Sequence, residues 1–331
     1  MTEYILLAIS FAVILAGALL FTNAVEWAGH RLSLGEGATG SLLAAVGTAM
    51  PETLIPIVAI IGGAEGSEDV AVGAIVGAPF LLATIAMALV GTSALLFRKR
   101  REQDTRLKVD IETLDRDLIF FLIFFALGLG LGVGTPDGLQ IPLAIGFVVA
   151  YGVYVRRTLA GGGAVQEVET IGPLIMDRSD DENPRGVTIL IQLAVGLGAI
   201  VGGAHLFVEE LLHVAETIGV EPLVLSLILA PLATELPEKA NSFFWVREGK
   251  DSLALGNITG AMVFQSTIPI AFGLWLTDWD LSHFALVSGG LGLAGGALAY
   301  WALRLRQRFE VLAILVWAGL FAAFIAYVSV Y

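Results

Sequence analysis

Gly47-Thr48-Ala49-Met50-Pro51-Glu52 and Ala233-Thr234-Glu235-Leu236-Pro237-Glu238 are the two stretches on which the fold turns. Both carry Thr-x-x-Pro-Glu inside an apolar run, 186 positions apart. A second pair stands at the same offset, Gly17-Ala-Leu-Leu-Phe21 against Gly203-Ala-His-Leu-Phe207. Two gapless matches at one offset mark an internal duplication. After a three-residue deletion, Ala71-Val-Gly-Ala-Ile-Val-Gly-Ala78 reads against Ala254-Leu-Gly-Asn-Ile-Thr-Gly-Ala261, and Thr84 falls on Thr267.

The setting of these copies is a membrane. Of 331 residues, 56% are hydrophobic and 15% charged, and a soluble domain of that size cannot hide so much apolar surface. Crossing the hydrocarbon core takes about 20 apolar residues per helix. Such runs are read near 4–22, 40–61, 70–97, 118–133, 139–155, 187–211, 222–246, 252–276, 283–303 and 309–330. The first lacks a basic beginning and carries Glu3, which favours a retained helix over a signal peptide. The expected class is therefore an all-α membrane protein of about ten transmembrane helices.

Lysine and arginine fall in alternate loops. Arg31 lies in the first, Arg98 to Arg101, Arg106, Lys108 and Arg116 in the third, and Arg156, Arg157, Arg178 and Arg185 around the fifth. Arg247 and Lys250 occupy the seventh, and Arg304, Arg306 and Arg308 the ninth. The even loops contain neither residue type. Basic loops stay cytoplasmic, so both termini are predicted outside, in a multi-pass protein of the cell membrane. With five helices in each, the units 1–157 and 187–331, joined by an acidic, Gly-containing cytoplasmic linker (158–186), are inverted relative to one another. Inverted repeats build the mid-membrane sites of many secondary transporters.

The composition also excludes. No cysteine is present, so there is neither a disulfide nor a thiolate metal site. A net charge of −13 argues against nucleic acid as a partner, and no Gly-x-x-x-x-Gly-Lys motif signals a nucleotide. No Ser/His/Asp or His-Glu-x-x-His arrangement points to an enzyme, and no resident cofactor is expected.

The chemistry is expected at Glu52 and Glu238. A carboxylate inside the membrane is costly unless it faces protein, water or a cation. The plain alternative, a protonated structural glutamate, accounts poorly for its recurrence in both copies. Each proline removes a backbone donor and is expected to open its helix, adding carbonyl oxygens to those of Thr48 and Thr234. An all-oxygen cage suits hard cations such as Ca²⁺ or Na⁺. Gly73 with Gly77, and Gly256 with Gly260, allow close helix contact. Asn257 and Gln265 add polar groups that serve either the ion or helix cross-linking.

Lys239 is the one basic residue outside the odd loops, and Glu235 stands four residues before it, on the same helix face. It either substitutes for a bound monovalent cation or merely offsets desolvation. His205, Glu209, Glu210 and His213 form a polar stripe that reads either as an ion-recruiting mouth or as an interfacial face.

These motifs resemble the calcium/cation antiporter superfamily, over nearly the whole chain. The resemblance implies ten helices in two inverted halves, with Ca²⁺ and a competing Na⁺ or H⁺ bound by Glu52 and Glu238 beside Thr48 and Thr234. It implies a secondary antiporter. The alternatives are a monovalent Na⁺/H⁺ exchanger on the same fold and a non-transporting membrane scaffold. Sodium/calcium exchangers carry further polar residues where this chain has Ala49, Glu235, Ala78, Ala261, Leu82 and Gln265, which argues against a strict three-sodium cycle.

Overall fold

The computed structural model describes residues 1–31, 49–101, 104–136, 138–160, 172–177 and 184–330, without the side chains at 159, 160, 237 and 238. Twelve α-helices cover most of the described residues: α1 (Thr2–Arg31), α2 (Met50–Gly62), α3 (Ser67–Leu81), α4 (Met87–Leu96), α5 (Ile111–Leu131), α6 (Gln140–Ala160), α7 (Gly186–Ile218), α8 (Pro222–Arg247), α9 (Asp251–Gln265), α10 (Ile268–Leu276), α11 (His283–Arg306) and α12 (Val311–Val330). Six described helical stretches are long and apolar enough to cross a membrane: Thr2–Arg31, Ser67–Leu96, Gly186–Ile218, Asp251–Leu276, His283–Arg306 and Val311–Val330. Met50–Gly62 and Pro222–Leu236 are shorter apolar helices.

Two predicted spans are interrupted. The third continues from α3 into α4 through a π-helical turn, Leu82–Ala86, and the eighth breaks at Thr267, between α9 and α10. Hydropathy runs unchanged across both sites, so composition gave no warning. The interruptions correspond under the repeat. Thr84 donates its hydroxyl to the Phe80 carbonyl at 2.6 Å, and Thr267 donates to Val263 at 2.8 Å. A threonine that bonds back four residues loosens its helix in each copy.

Two helix pairs dominate the packing, α1 with α7 and α3 with α8. Glycine makes both possible. A Cβ on Gly17 would lie 2.9 Å from the Ile200 nitrogen, and one on Gly203 would lie 2.8 Å from Ile14. Positions 14 and 17 are those of 200 and 203 at the repeat offset, so the contact is reciprocal. α1 also runs past its predicted end at residue 22. Its extra turns are held by Gln192, which donates to Asn23 Oδ1 at 2.8 Å and to the Leu20 carbonyl at 2.9 Å. Ala24 and Trp27 bury against Leu174 and Ile189.

In the second pair, a Cβ on Gly73 would lie 2.6 Å from the Leu223 carbonyl and one on Gly77 2.2 Å from that of Leu227. Gly256 and Gly260 meet no such neighbour among the described residues. Alanine ordinarily gains about 1 kcal/mol over glycine inside a helix, but backbone cannot yield as a side chain does. Gly77→Ala is therefore expected to destabilise the protein by about 1–3 kcal/mol, read as a lower unfolding midpoint in detergent. Gly146→Ala, on an exposed face of α6, should leave the midpoint unchanged or raise it.

The loops sort by charge. At one end the Glu68 carboxylate accepts from the Asp278 N–H at 3.3 Å, the Gln140 amide donates to the Asp278 carbonyl at 3.3 Å, and Gly66 approaches Leu212 and Pro222. The basic loops meet one another separately. Arg31 donates to the Pro184 carbonyl at 2.9 Å. Arg106 pairs with Arg308 in an isolated backbone bridge, and Arg304 pairs with Asp115. Arg101 enters a buried ion pair with Asp251 at 2.7 Å.

Candidate ion site

α2 begins at the first Thr-x-x-Pro-Glu motif, with Pro51 in its first turn, where the missing N–H costs nothing. Glu52 follows in the same turn, half-buried, and the positive end of the helix dipole favours its charge. Thr53 donates its hydroxyl to the Ala49 carbonyl at 2.8 Å. Thr48 lies outside the described residues.

The second copy behaves differently. α8 stays helical through position 237, so the expected opening of the chain by proline does not occur there. Packing of α8 against α3, α9 and α7 holds the helix together, and the missing N–H costs only the bond to the Ala233 carbonyl. Glu238 lies on this helix, and its side chain falls outside the described residues.

Glu52 and Thr234, from the two copies, line one cavity with Ile55, Ala74, Ala78, Ala230 and Pro231. Its volume is about 10 Å³, room for one water or one bare cation. Its shape follows from small residues: Ala74 and Ala78 follow Gly73 and Gly77 by one position, so the α3 face that touches α8 has no long side chain to fill the gap. Thr234 is buried and donates its hydroxyl to the Ala230 carbonyl at 3.3 Å. Sequence reasoning marked Ala78 as a departure from the exchanger pattern but missed Ala74, Ala230 and Pro231. The signal available was the Gly-Ala doublet repeated four residues on.

One residue along from Thr234, the buried Glu235 is fully engaged. Lys239 donates its ammonium to Oε2 at 2.5 Å, and the Gln265 amide donates to Oε1 at 2.6 Å. Glu235 and Lys239 are 2% and 4% exposed, so this pair is closed to solvent. Glu235 is thus a partner of Lys239 and Gln265, which leaves neither of its oxygens free of a donor. The amide oxygen of Gln265 is buried without a hydrogen-bond partner among the described residues.

The remaining sequence candidates separate. Asn257 donates to the Ser242 hydroxyl at 3.5 Å and ties α9 to α8, the cross-linking reading. Along α7, His205, Glu209 and His213 are exposed, while Glu210 is buried with His213 3.9 Å away. Three of the four thus lie on the exposed face of α7, and Glu210 alone is buried. Sequence reading also passed over Asp117, which is buried and accepts from the hydroxyls of Tyr154 and Thr259, both at 2.9 Å. It joins α5, α6 and α9.

A family model described as "Sodium/calcium exchanger protein" matches residues 2–159 and 188–330. A sodium/calcium exchanger of Methanosarcina acetivorans is 25% identical over 283 residues, covering 79% of each chain. Among solved structures, an H⁺/Ca²⁺ exchanger, CAX, superposes with a TM-score of 0.74 at 20% identity, covering 98% of this chain and 81% of that one. The sodium-calcium exchanger NCX_Mj gives 0.60 at 18% identity, covering 98% of each. At these identities the structures establish a shared fold. All three relatives are exchangers, not enzymes.

Proposed function

Because this chain belongs to the sodium/calcium exchanger protein family, and is an integral multi-pass membrane protein, we propose that it is a secondary antiporter exchanging Ca²⁺ for Na⁺ or H⁺. The observation that carries this reading is the convergence of Glu52 and Thr234, one from each copy of the duplicated motif, on a cavity sized for one ion. Glu52 and Glu238 hold the divalent ion, with Thr48 and Thr234 completing an oxygen shell. Ten spans in two inverted five-helix repeats, 1–157 and 187–331, with a cytoplasmic linker at 158–186, frame it. The reciprocal Gly17 and Gly203 contacts and the paired Thr84 and Thr267 interruptions support that symmetry. The separate meeting of acidic and basic loops supports cytoplasmic odd loops and outward termini, with the cell membrane as the expected location.

Antiport follows from electrostatics. Two carboxylates without a cation are expensive to enclose away from water, so the empty site resists occlusion and does not change sides. Loaded with one Ca²⁺ between the carboxylates, or with one monovalent charge taken up at each carboxylate, it is neutral and closes. Since only one load fits at a time, each ion leaves before its competitor enters.

The test is uptake of ⁴⁵Ca²⁺ into sealed proteoliposomes under an outward Na⁺ gradient or a pH gradient. One of these gradients is expected to drive accumulation that vanishes when it is collapsed. Na⁺/H⁺ exchange with no Ca²⁺ movement would assign the chain to the monovalent class instead.

A further inference from the structure

We propose that the Glu235–Lys239–Gln265 cluster is a monovalent-cation site filled from within. Lys239 is a tethered cation in a place that would otherwise require a transported one. The proposal rests on the antiport reading and adds its charge stoichiometry.

The ammonium is bonded to one carboxylate oxygen of Glu235 and the Gln265 amide holds the other, and a carboxylate is the kind of oxygen ligand that a hard monovalent ion seeks. The ammonium sits against Oε2 at 2.5 Å, the Gln265 amide nitrogen holds Oε1 at 2.6 Å, and the Gln265 oxygen has no hydrogen-bond partner among the described residues. Glu235, Lys239 and Gln265 are all nine-tenths or more buried. A charge pair at the membrane surface would be hydrated, and its lysine would extend to water. This one turns inward and bonds to a carboxylate adjoining Thr234 of the ion cavity.

The charge count then fixes the cycle. Glu235 and Lys239 cancel, which leaves Glu52 and Glu238, a fixed charge of −2, for the ions that move. One Ca²⁺ balances that charge, and so do two monovalent cations. Exchange by the natural chain is therefore electroneutral. Lys239→Met raises the fixed charge to −3 and recruits a third monovalent ion on the return step. Each cycle of this variant moves one net charge.

Ca²⁺ uptake into proteoliposomes, with membrane potential set by K⁺ and valinomycin, decides the matter. Wild-type accumulation is expected to be independent of potential, as is that of Lys239→Arg, which keeps the tethered charge. In Lys239→Met the accumulation ratio should shift by about 50-fold per 100 mV, the effect of one charge crossing the field. A wild type that responds to potential overturns the proposal even if Lys239→Met fails to fold. So does a folded Lys239→Met that remains insensitive. A wild type that moves no Ca²⁺ under any gradient would instead overturn the Ca²⁺-exchange reading, and the two failures are thereby distinct.

Discussion

Glu52→Gln is expected to lower Ca²⁺ flux by at least about 100-fold while leaving the protein folded. A carboxylate about 4 Å away contributes about 4 kcal/mol per unit of ion charge at an effective dielectric constant of about 20, so a divalent ion loses at least that much, and each 1.4 kcal/mol is tenfold in affinity. Two to three orders of magnitude follow. Glutamine keeps the size of the side chain and removes only the charge. Since Glu52 is half-buried at a helix start, the apo protein should unfold within a few degrees of the wild type. Ca²⁺ should raise the midpoint of the wild type and not that of the variant, because a ligand stabilises only the state that binds it. Flux above about a third of wild type would remove Glu52 from the site.

The second large effect lies away from the ions. Arg101 and Asp251 are 150 residues apart in sequence, and their side chains are 2% and 0% exposed. The guanidinium donates to both carboxylate oxygens at 2.7 Å and to the carbonyls of Val246, Asp104 and Arg106. Asp251 also accepts from the Lys108 N–H at 2.8 Å. This pair fixes the loop after α4 to the end of α8 and the start of α9, the two helices that carry the Lys239 cluster. Removing one partner strands a buried charge, at about 3–5 kcal/mol. Arg101→Met and Asp251→Leu should each lower the unfolding midpoint in detergent sharply. The double variant strands no charge and should recover at least half of the loss. Single variants within about 1 kcal/mol of wild type would show that water reaches the pair.

What could be read from the sequence divides along physical lines. Apolar length and the alternation of basic loops are local properties, and they located most of the described helices. α1 nevertheless runs to Arg31 instead of ending near residue 22, and the start of the second span lies outside the described residues. Duplication pointed to Thr234 and Glu52, and glycine spacing pointed to the α3–α8 contact at Gly73 and Gly77. The Glu235–Lys239 pair was legible too, because four residues on a helix bring two side chains together. Its third member was not, since Gln265 reaches Glu235 only through the packing of α9 on α8. Arg101 looked like part of a surface charge run for the same reason. The π-helical turn at Leu82–Ala86 and the break at Thr267 were hidden because they interrupt hydrogen bonding without interrupting hydropathy. Pro237 misled in the opposite sense: a proline can be tolerated in a helix held on several sides.

Equilibrium binding of ⁴⁵Ca²⁺ to the purified protein, compared among wild type, Glu52→Gln and Glu238→Gln, probes the shared site most directly. Two carboxylates acting on one ion predict a single Ca²⁺ per wild-type chain and near-complete loss in either variant. Half of the bound Ca²⁺ surviving in each variant would mean two independent sites, and would contradict an exchange site built jointly by the two copies.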